Sequence, residues 1–294
     1  MNQQALCVDT ELPPDIRLEQ TDDLATLTIP ERGMYDRLII VSIRAQNAKL
    51  FVKAGPTSRV RLVVDYEFEA GLEATFELEP GAYMDVFHLD CQQRDVRLQS
   101  RNAYALKKHA SLNVWTLAAG GKAEIEHRVK FLEPHGFAAV RGLSLLGESS
   151  DVTHRVTADH SIGHCASRQF YKSILADNAR SAFESLVLVA KGADKSDSRQ
   201  LNKNLLLSKS ALAVSRPELK INADDVACAH GSATGELGHE ELFYLRSRGI
   251  EERVARLVLT EGFAGEILED IPEMPLKKEL RELVQVKISE LVKV

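Results

Sequence analysis

Short apolar runs alternate with polar residues along most of the chain, beginning at Leu24. The runs are rich in β-branched and aliphatic side chains and are bounded by Gly, Asn, Asp or charged residues; examples are Arg37–Ile43, Ala48–Lys53 and Ala74–Leu78. Runs of about four to eight residues at close spacing are typical of β-strands. No stretch before Gly238 has the sustained 3.6-residue period of an amphipathic helix. The pattern therefore predicts an all-β body.

The middle of the chain continues this pattern with uneven spacing. It contains four strand-like runs: Ser167–Leu175, Ala182–Val189, Asn204–Leu207 and Glu218–Ile221. The segments between them have the composition of loops: Ala176–Arg180, Lys191–Gln200 and Lys209–Pro217. A parallel β-helix suits such spacing because its coils are joined by loops of variable length. A β-sandwich would use hairpins, and neither Asn-Gly nor Asp-Gly, the clearest hairpin signals, is present. The residues alone leave both architectures open.

The last part of the chain changes to a helical pattern. Gly238–Arg248 is rich in helix formers and is followed by Gly249, a residue typical of the position beyond a helix C-terminus. A second helix, expected to end near Gly262, is indicated by one apolar face: Ile250, Val254, Leu257 and Val258. A third helix follows Pro272 and Pro275 and has a longer apolar face: Leu276, Leu280, Leu283, Val284, Ile288 and Leu291.

Composition argues against several classes of protein. The 294 residues carry a net charge of 37 − 43 = −6, so binding to nucleic acid or its phosphates is not predicted. No apolar run approaches the roughly 20 residues that span a membrane. Met1–Asp9 lacks the basic and apolar parts of a secretory signal, and a cytoplasmic location is therefore expected. The four cysteines are far apart in the sequence, which argues against a disulfide framework or a zinc site built from this chain alone.

Familiar catalytic motifs are missing from the sequence. There is no GxxxxGKS/T phosphate loop, no GxGxxG after a strand, no GxSxG elbow and no HExxH. The chain is therefore not expected to be an enzyme of the common nucleotide-dependent, serine-hydrolase or zinc-protease types.

Two groups of residues could carry other chemistry. His154, His160 and His164 share parity along an extended strand, which would suit a metal cluster, but histidines on a strand surface are the favoured interpretation. Cys228 and His230 are two residues apart, so in a strand they project from one face. A thiolate and an imidazole form a soft ligand pair suited to iron–sulfur or zinc chemistry. Two ligands do not complete a site, and a packed cysteine beside a hydrogen-bonded histidine is the plainer alternative.

Several segments, taken together and in order, resemble the SufB/SufD family of iron–sulfur cluster assembly proteins. They are Ser167–Gln169, Asn202–Ser208, Pro217–Ile221 with Ala223–Val226, Cys228–Gly231, Leu242–Ile250 and Gly262-Phe263. The resemblance is dense from about His160 to Phe263 and faint before that. The ordered combination is specific, whereas no single segment would be.

The resemblance implies a fold and a set of partners. It implies a right-handed parallel β-helix followed by a C-terminal helical domain, which resolves the choice between architectures. We accordingly divide the chain into an N-terminal arm (1–23), a β-helix core (24–237) and a helical domain (238–294). Members of the family bind an ABC-type ATPase, SufC, through the helical domain, so this chain itself is expected to bind no nucleotide. They pair through their β-helices, SufB with SufD or as a like pair.

The resemblance is closer to SufD than to SufB. SufB-type sequences carry a cysteine where this chain has Asn202 and a glutamate where it has Gly231. The Cys-x-His-Gly pattern of Cys228–Gly231 and the run Tyr244–Gly249 are SufD-like. The chain is shorter than a typical SufD, so a compact homologue from a minimal assembly system is the alternative.

The expected function is that of a scaffold subunit, not an enzyme, in a SUF-type complex. His230 is the first candidate ligand and Cys228 the second, for an iron–sulfur cluster that is held transiently and shared across a subunit interface near Pro217 to His230. Phe243, Tyr244, Arg246 and Arg248 are the candidates for binding the ATPase, with Leu242, Phe243 and Leu245 anchoring the helices. One rival is a purely structural subunit with the cluster chemistry entirely in a SufB partner. A second is a β-helical carbohydrate-active enzyme, for which Asp224-Asp225 is the adjacent carboxylate pair in the β-helical part of the dense region.

Overall fold

The computed structural model describes residues 5–8, 11–67, 71–91 and 97–293. Within them the chain forms eighteen strands: β1 (Leu6–Val8), β2 (Arg17–Gln20), β3 (Leu24–Ile29), β4 (Met34–Ile43), β5 (Ala48–Ala54), β6 (Arg59–Tyr66), β7 (Gly71–Leu78), β8 (Tyr83–Asp90), β9 (Leu98–Leu106), β10 (Ser111–Ala118), β11 (Lys122–Phe131), β12 (Phe137–Leu146), β13 (Asp151–His160), β14 (Ala166–Leu175), β15 (Arg180–Val189), β16 (Asp197–Leu206), β17 (Leu212–Ile221) and β18 (Ala227–Gly235). Three helices follow: α1 (His239–Ser247), α2 (Glu252–Glu269) and α3 (Pro275–Leu291).

The strands form two nine-stranded sheets, and the chain alternates between them. Sheet A has the order β1-β4-β6-β8-β10-β12-β14-β16-β18, and sheet B has the order β17-β15-β13-β11-β9-β7-β5-β3-β2. From β3 onward all pairs within a sheet are parallel. Phe137, Ala166, Asp197 and Ala227 stack in register at intervals of 29, 31 and 30 residues. This winding is a parallel β-helix, as the resemblance implied, and it excludes the sandwich.

The start of the described chain covers one end of the β-helix. β1 pairs antiparallel with β4, and β2 pairs antiparallel with β3. These strands have only three and four residues, and short edge strands are a common protection against edge-to-edge association. The opposite end has no such cover among the described residues, because β17 and β18 are the last strands of their sheets.

The protein has two main apolar cores. The first fills the interior of the coils, where inward residues such as Leu62, Val86 and Val114 are fully buried. The second lies outside sheet A, whose outward residues Phe87, Trp115 and others pack against α2 and α3. The helices thus cover part of one sheet, and no helix of the described residues is long and apolar enough to cross a membrane.

Two predicted loops contain the beginning of a strand. β16 begins at Asp197, inside the expected loop Lys191–Gln200, and β17 begins at Leu212, inside Lys209–Pro217. In β16 the inward positions are polar: Ser198, Gln200 and Asn202 are at most 2% exposed. A strand with a polar inner face has no apolar alternation to mark it, so the hydropathy pattern indicated a loop.

The second predicted helix is longer than expected. α2 continues through Gly262 to Glu269. A side chain at position 262 would meet nothing, so this glycine lies on an open face and costs only its intrinsic helix propensity, about 1 kcal/mol. Burial of Ala264, Ile267 and Leu268 against sheet A outweighs that cost and extends the helix.

Candidate functional site

The last strand places the two candidate ligands at the open end of the β-helix. In β18, Cys228 is in register with Ser198 and His230 with Gln200. Side chains in register on neighbouring parallel strands point to the same side of the sheet. Since Ser198 and Gln200 are buried inside the coil, Cys228 and His230 both face the mouth of the interior.

The two side chains differ in exposure and in chemical readiness. His230 is exposed and can offer a neutral ring nitrogen to a metal. Cys228 is half-buried and packs on an apolar cluster that includes Val187, Val189 and Ala193. Burial, reinforced by the negative charge of Asp197, raises the pKa of the Cys228 thiol. The thiolate is the form that binds metals, so His230 is the better ligand in the isolated chain.

The inward side chains below this mouth change from apolar to polar along the axis of the β-helix. Two inward rows of sheet A show the change: Leu62, Val86, Val114, Val140, Gln169, Gln200 and His230 in one, and Val60, Met84, Leu112, Ala138, Ser167, Ser198 and Cys228 in the other. The rows are apolar up to β12 and polar from β14 onward. The candidate ligands are therefore the last members of two polar rows.

Hydrogen bonds join the polar rows across the coil. His160 Nε2 lies 2.8 Å from Ser167 Oγ, which lies 2.8 Å from Ser198 Oγ. A second layer of inward side chains is built on the other row: Gln200 Nε2 donates to Ser185 Oγ, and Ser185 Oγ donates to Gln169 Oε1. Four buried atoms of this region have no partner among the described residues: His160 Nδ1, Gln169 Nε2, Gln200 Oε1 and Ser215 Oγ. Unpaired polar atoms are costly in a protein interior, so each invites an explanation.

The expectation of surface histidines on β13 is wrong for two of the three. His154 and His160 are at most 1% exposed and point into the coil, where His154 Nε2 lies 2.8 Å from Ser144 Oγ. His164 lies in the following turn, outside the coil, with a φ of 60°. The strand pairs these histidines with hydroxyl groups and not with one another. Across residues 5–8, 11–67, 71–91 and 97–293, no group of three or more potential ligands is arranged to hold a metal ion.

The adjacent carboxylates considered for the carbohydrate-active alternative lie in a bend and not on a strand. Asp224 and Asp225 lie in the bend between β17 and β18. Asp225 forms an ion pair with Lys195 of the preceding coil. One of the two carboxylates is therefore engaged in an ion pair that joins the bend to the preceding coil.

The first helix is not anchored as the sequence suggested. No residue of α1 is buried, and Phe243 is 74% exposed, so its assignment as an anchor is wrong. Leu242 and Leu245 are half-buried and form the inner side of the helix. Tyr244 is also exposed, and the guanidinium of Arg248 lies 5.2 Å from its ring centre.

Exposed apolar residues continue from α1 onto α2. Val254 and Val258, part of the predicted apolar face of the second helix, are about half exposed. Arg246 forms a 3.1 Å ion pair with Glu252 that links the two helices. A groove of about 430 Å³ runs between them and the end of β16, with Leu207, Lys209, Leu242 and Phe243 in its lining. We call the exposed residues Phe243, Tyr244, Arg246, Arg248, Val254 and Val258 the α1–α2 surface.

The second half of α2 is fixed to the β-helix by a buried lysine. Lys172, on the outer face of β14, is 2% exposed. Its Nζ donates to the carbonyl oxygen of Phe263 at 2.6 Å and to the carboxylate of Glu266, and it lies 4.2 Å from the centre of the Phe263 ring. Lys203, on β16, also donates to Glu266 at 3.2 Å. Sequence reasoning missed this contact because nothing local marks a lysine as buried.

The fold and site together define a β-helical protein with a docked C-terminal helical unit and a cysteine–histidine pair at its open end. A family model for the SUF system FeS cluster assembly SufBD core domain matches residues 39–263. The chain belongs to this family.

Individual relatives agree with the family model. The chain is 40% identical over 126 residues to the iron-sulfur cluster assembly protein SufD of Escherichia coli, a match that covers 43% of this chain and 30% of that protein. It is 42% identical over 135 residues to an iron-sulfur cluster assembly SufBD family protein of Synechocystis, covering 46% of this chain and 29% of the relative. A SufBD family protein of Mycobacterium leprae is 33% identical over 214 residues, covering 70% of this chain and 55% of the relative. The matches thus span between about a third and about half of the relatives' own length.

Proposed function

We propose that this protein is a scaffold subunit of a SUF-type assembly complex, in which iron and sulfide are joined at the mouth formed by Cys228 and His230. The observation that carries the proposal is the placement of both side chains on one face of β18, at the open end of the coil. The cluster is the cargo of such a complex. The protein provides ligands and a surface, and acts as a scaffold without being an enzyme.

The donor set fits this cargo in kind but not in number. Thiolate sulfur and imidazole nitrogen are both established ligands of iron–sulfur clusters. One chain presents only two such groups here, and a cluster needs more. The remaining ligands come from the sulfide itself and from a second subunit across the open end. We therefore place the site at an interface, with a SufB-like subunit or a second copy as the partner.

The α1–α2 surface is the proposed contact for a SufC-type ATPase. Phe243 and Tyr244 present large aromatic groups to solvent, and Arg246 and Arg248 flank them with positive charge. Aromatic residues and arginine are enriched among the residues that carry most of the binding energy at protein interfaces. The sequence has no phosphate loop of its own, which supports nucleotide binding by the partner.

A purely structural subunit is the second candidate. Asn202 occupies the position at which SufB-type sequences have a cysteine, and it is fully buried in the coil with its side-chain amide bound to the carbonyl oxygen of Tyr171. Gly231 stands where those sequences have a glutamate. In that case the cluster would be held by SufB alone, and His230 would have no chemical role.

Substitution of His230 distinguishes the two candidates. We expect His230→Ala to lower the iron and sulfide content of the complex co-expressed with its SufB-like and SufC-type partners several-fold, because the strongest ligand is removed. Cys228→Ser should have a smaller effect, since burial raises the pKa of that thiol. Ser232→Ala, two residues further along the same face of β18, is the matched control and should leave the cluster content unchanged.

Thermal unfolding of each variant separates ligand loss from misfolding. His230 is exposed, so its substitution should not shift the unfolding temperature. Wild-type iron and sulfide content in the His230→Ala complex would remove His230 from the site and favour the structural subunit.

A further inference from the structure

One buried acceptor lies directly below the proposed ligand. Gln200 is 2% exposed, yet its Oε1 atom has no hydrogen-bond partner among the described residues. The residue in register with Gln200 on the next strand toward the open end, β18, is His230. Strands in a sheet are about 4.8 Å apart, so these two side chains are immediate neighbours on the inner face.

The amide nitrogen of Gln200 is already bound, whereas Gln169 Nε2, in register with Gln200 one coil deeper, is a second donor without a partner among the described residues. Gln200 Nε2 donates to Ser185 Oγ, and that hydroxyl donates onward to Gln169 Oε1. The residue in register with Ser185 in the final coil is Pro217, whose side chain has no hydrogen-bonding group. The register therefore places a donor-bearing side chain on each side of the unpaired oxygen of Gln200: Gln169 one coil deeper and His230 at the open end.

We propose that Gln200 is a positioning residue for His230. Its Oε1 accepts a hydrogen bond from the N–H of the ring nitrogen that faces the coil. The exposed imidazole reaches this position by rotation of its side chain. The bond selects one tautomer and leaves the lone pair of the other nitrogen directed outward, toward the open end. Metal-binding histidines commonly donate their second ring nitrogen to a carbonyl or carboxylate in this way, and the bond increases the basicity of the ligand.

The hydrogen bond between Gln200 and His230 and the role of His230 in cluster binding can be tested separately. That His230 binds the cluster rests on the proposed function, whereas the contact between Gln200 and His230 rests only on register, burial and the unpaired atom. The experiment therefore measures the imidazole itself in addition to the cluster.

Nitrogen-15 NMR of the histidine-labelled full chain at pH 8 reports the tautomer of each neutral ring. The His230 signals are assigned by their loss in His230→Ala. In the wild type we expect the two ring nitrogens to have the well-separated shifts of a single tautomer. In Gln200→Met, which conserves volume but removes the acceptor, the two shifts should move toward each other as both tautomers become populated. Gln200→Glu restores an acceptor oxygen and should restore the single tautomer.

Gln169→Met is the matched control, because Gln169 belongs to the same hydrogen-bonded layer one coil deeper and is not adjacent to His230. It should leave the His230 shifts as in the wild type, whereas a general loosening of the layer would change them in both variants. In the complex, Gln200→Met should retain iron about tenfold more weakly, the usual scale for loss of such a supporting bond.

Identical His230 tautomers in the wild type and Gln200→Met would overturn the inference, even if His230→Ala abolishes cluster assembly. The same changes in Gln169→Met as in Gln200→Met would also overturn it. Wild-type cluster content in His230→Ala would instead count against the proposed function, and the tautomer result would still decide the role of Gln200.

Discussion

At the scale of single residues, the most unusual feature is a set of histidines buried as neutral groups. His88 bridges Tyr66 and Tyr104, with its ring nitrogens 2.8 and 2.9 Å from the two hydroxyl oxygens. His127 extends this series of hydrogen bonds, because its ring nitrogens join the hydroxyl of Tyr104 to that of Thr116. These bonds satisfy polar groups inside the coil, and none of the hydroxyl partners carries a negative charge that would stabilise a protonated ring.

Burial makes protonation of these rings unfavourable. It lowers the pKa of His88 to about 3 and that of His154 and His160 to about 4, and it lowers the pKa of His127 well below the ordinary value. The unfolded chain binds protons at these positions below about pH 6.5, whereas the folded chain does so only near pH 4 or below. The unfolded state therefore binds more protons in this window, and the free energy of unfolding falls as the pH falls through it.

Substitution of one buried histidine should flatten this pH dependence. We expect His154→Gln to reduce the change in the free energy of unfolding between pH 6 and pH 5 by about 1.4 kcal/mol per pH unit, the value for one proton. Urea unfolding at a series of pH values measures the slope. His239→Gln is the control because His239 is exposed at the start of α1, and its slope should match the wild type. An unchanged slope in His154→Gln would show that His154 is not buried as a neutral ring.

At this scale the sequence identified which residue types to watch but not where they point. The spacing of Cys228 and His230 correctly placed them on one face, because a strand has a period of two. The same parity argument applied to His154 and His160 did not reveal that their face is the interior. A hydropathy scale ranks histidine with the surface residues. Its burial is stable here because Tyr, Ser and Thr hydroxyls from neighbouring coils form hydrogen bonds with the ring.

At the scale of elements, α2 is one helix with two environments. Its second half is fixed to sheet A by Lys172 and an apolar contact, while its first half and α1 carry the exposed α1–α2 surface. An 18-residue helix is about 27 Å long and transmits force along its axis. A partner that binds the first half is therefore mechanically connected to β14 and β16, the two strands that precede β18 in sheet A.

Charge reversal on α1 tests this surface. We expect the double variant Arg246→Glu with Arg248→Glu to bind a SufC-type ATPase several-fold more weakly in a pull-down, because charges at an interface rim steer association. Lys278→Glu on α3 is the control, since Lys278 is also exposed but lies on another helix. Circular dichroism should show the same helix content in all three proteins. Undiminished ATPase binding by the double variant would exclude these arginines from the contact.

Strand and helix boundaries were predictable where one face of an element is apolar. β5 and β14 were located to within about two residues because buried aliphatic positions alternate along them. Only the end of β16, from Asn204, was predicted, because the earlier inner positions are the polar residues Ser198, Gln200 and Asn202. The second helix was predicted too short because Gly262 resembles a terminus. In both cases contacts distant in sequence decide the structure, and no local window contains them.

At the scale of the whole molecule, local patterns indicated strands but not their winding. Parallel pairing joins residues about 30 positions apart, as between Phe137 and Ala166, and single-strand periodicity carries no information at that distance. The resemblance of His160–Phe263 to a known family supplied the topology.

The open end predicts an assembly. We expect association through β17 and β18, in which no residue is fully buried, with an interface that buries more than about 1,000 Å². Light scattering at micromolar concentration should show a dimer of the chain alone or a heterodimer with a SufB-like subunit. Ala229→Arg, on exposed β18, should shift either species toward monomers, whereas Glu19→Arg at the covered end should not. A monomer in the wild type would argue against the homodimer.

The unequal ends of the coil also set a limit on growth. A building block that can join at both ends adds copies indefinitely, as amyloid and other stacked β-structures do. Here β1 and β2 run antiparallel to the strands they cover, so that end does not repeat the pattern of the other. The protein is in this respect like a monomer with one reactive group, which can form a pair but cannot form a polymer. We therefore expect this long parallel stack, a geometry that favours fibres, to associate at one end only and to form a finite complex.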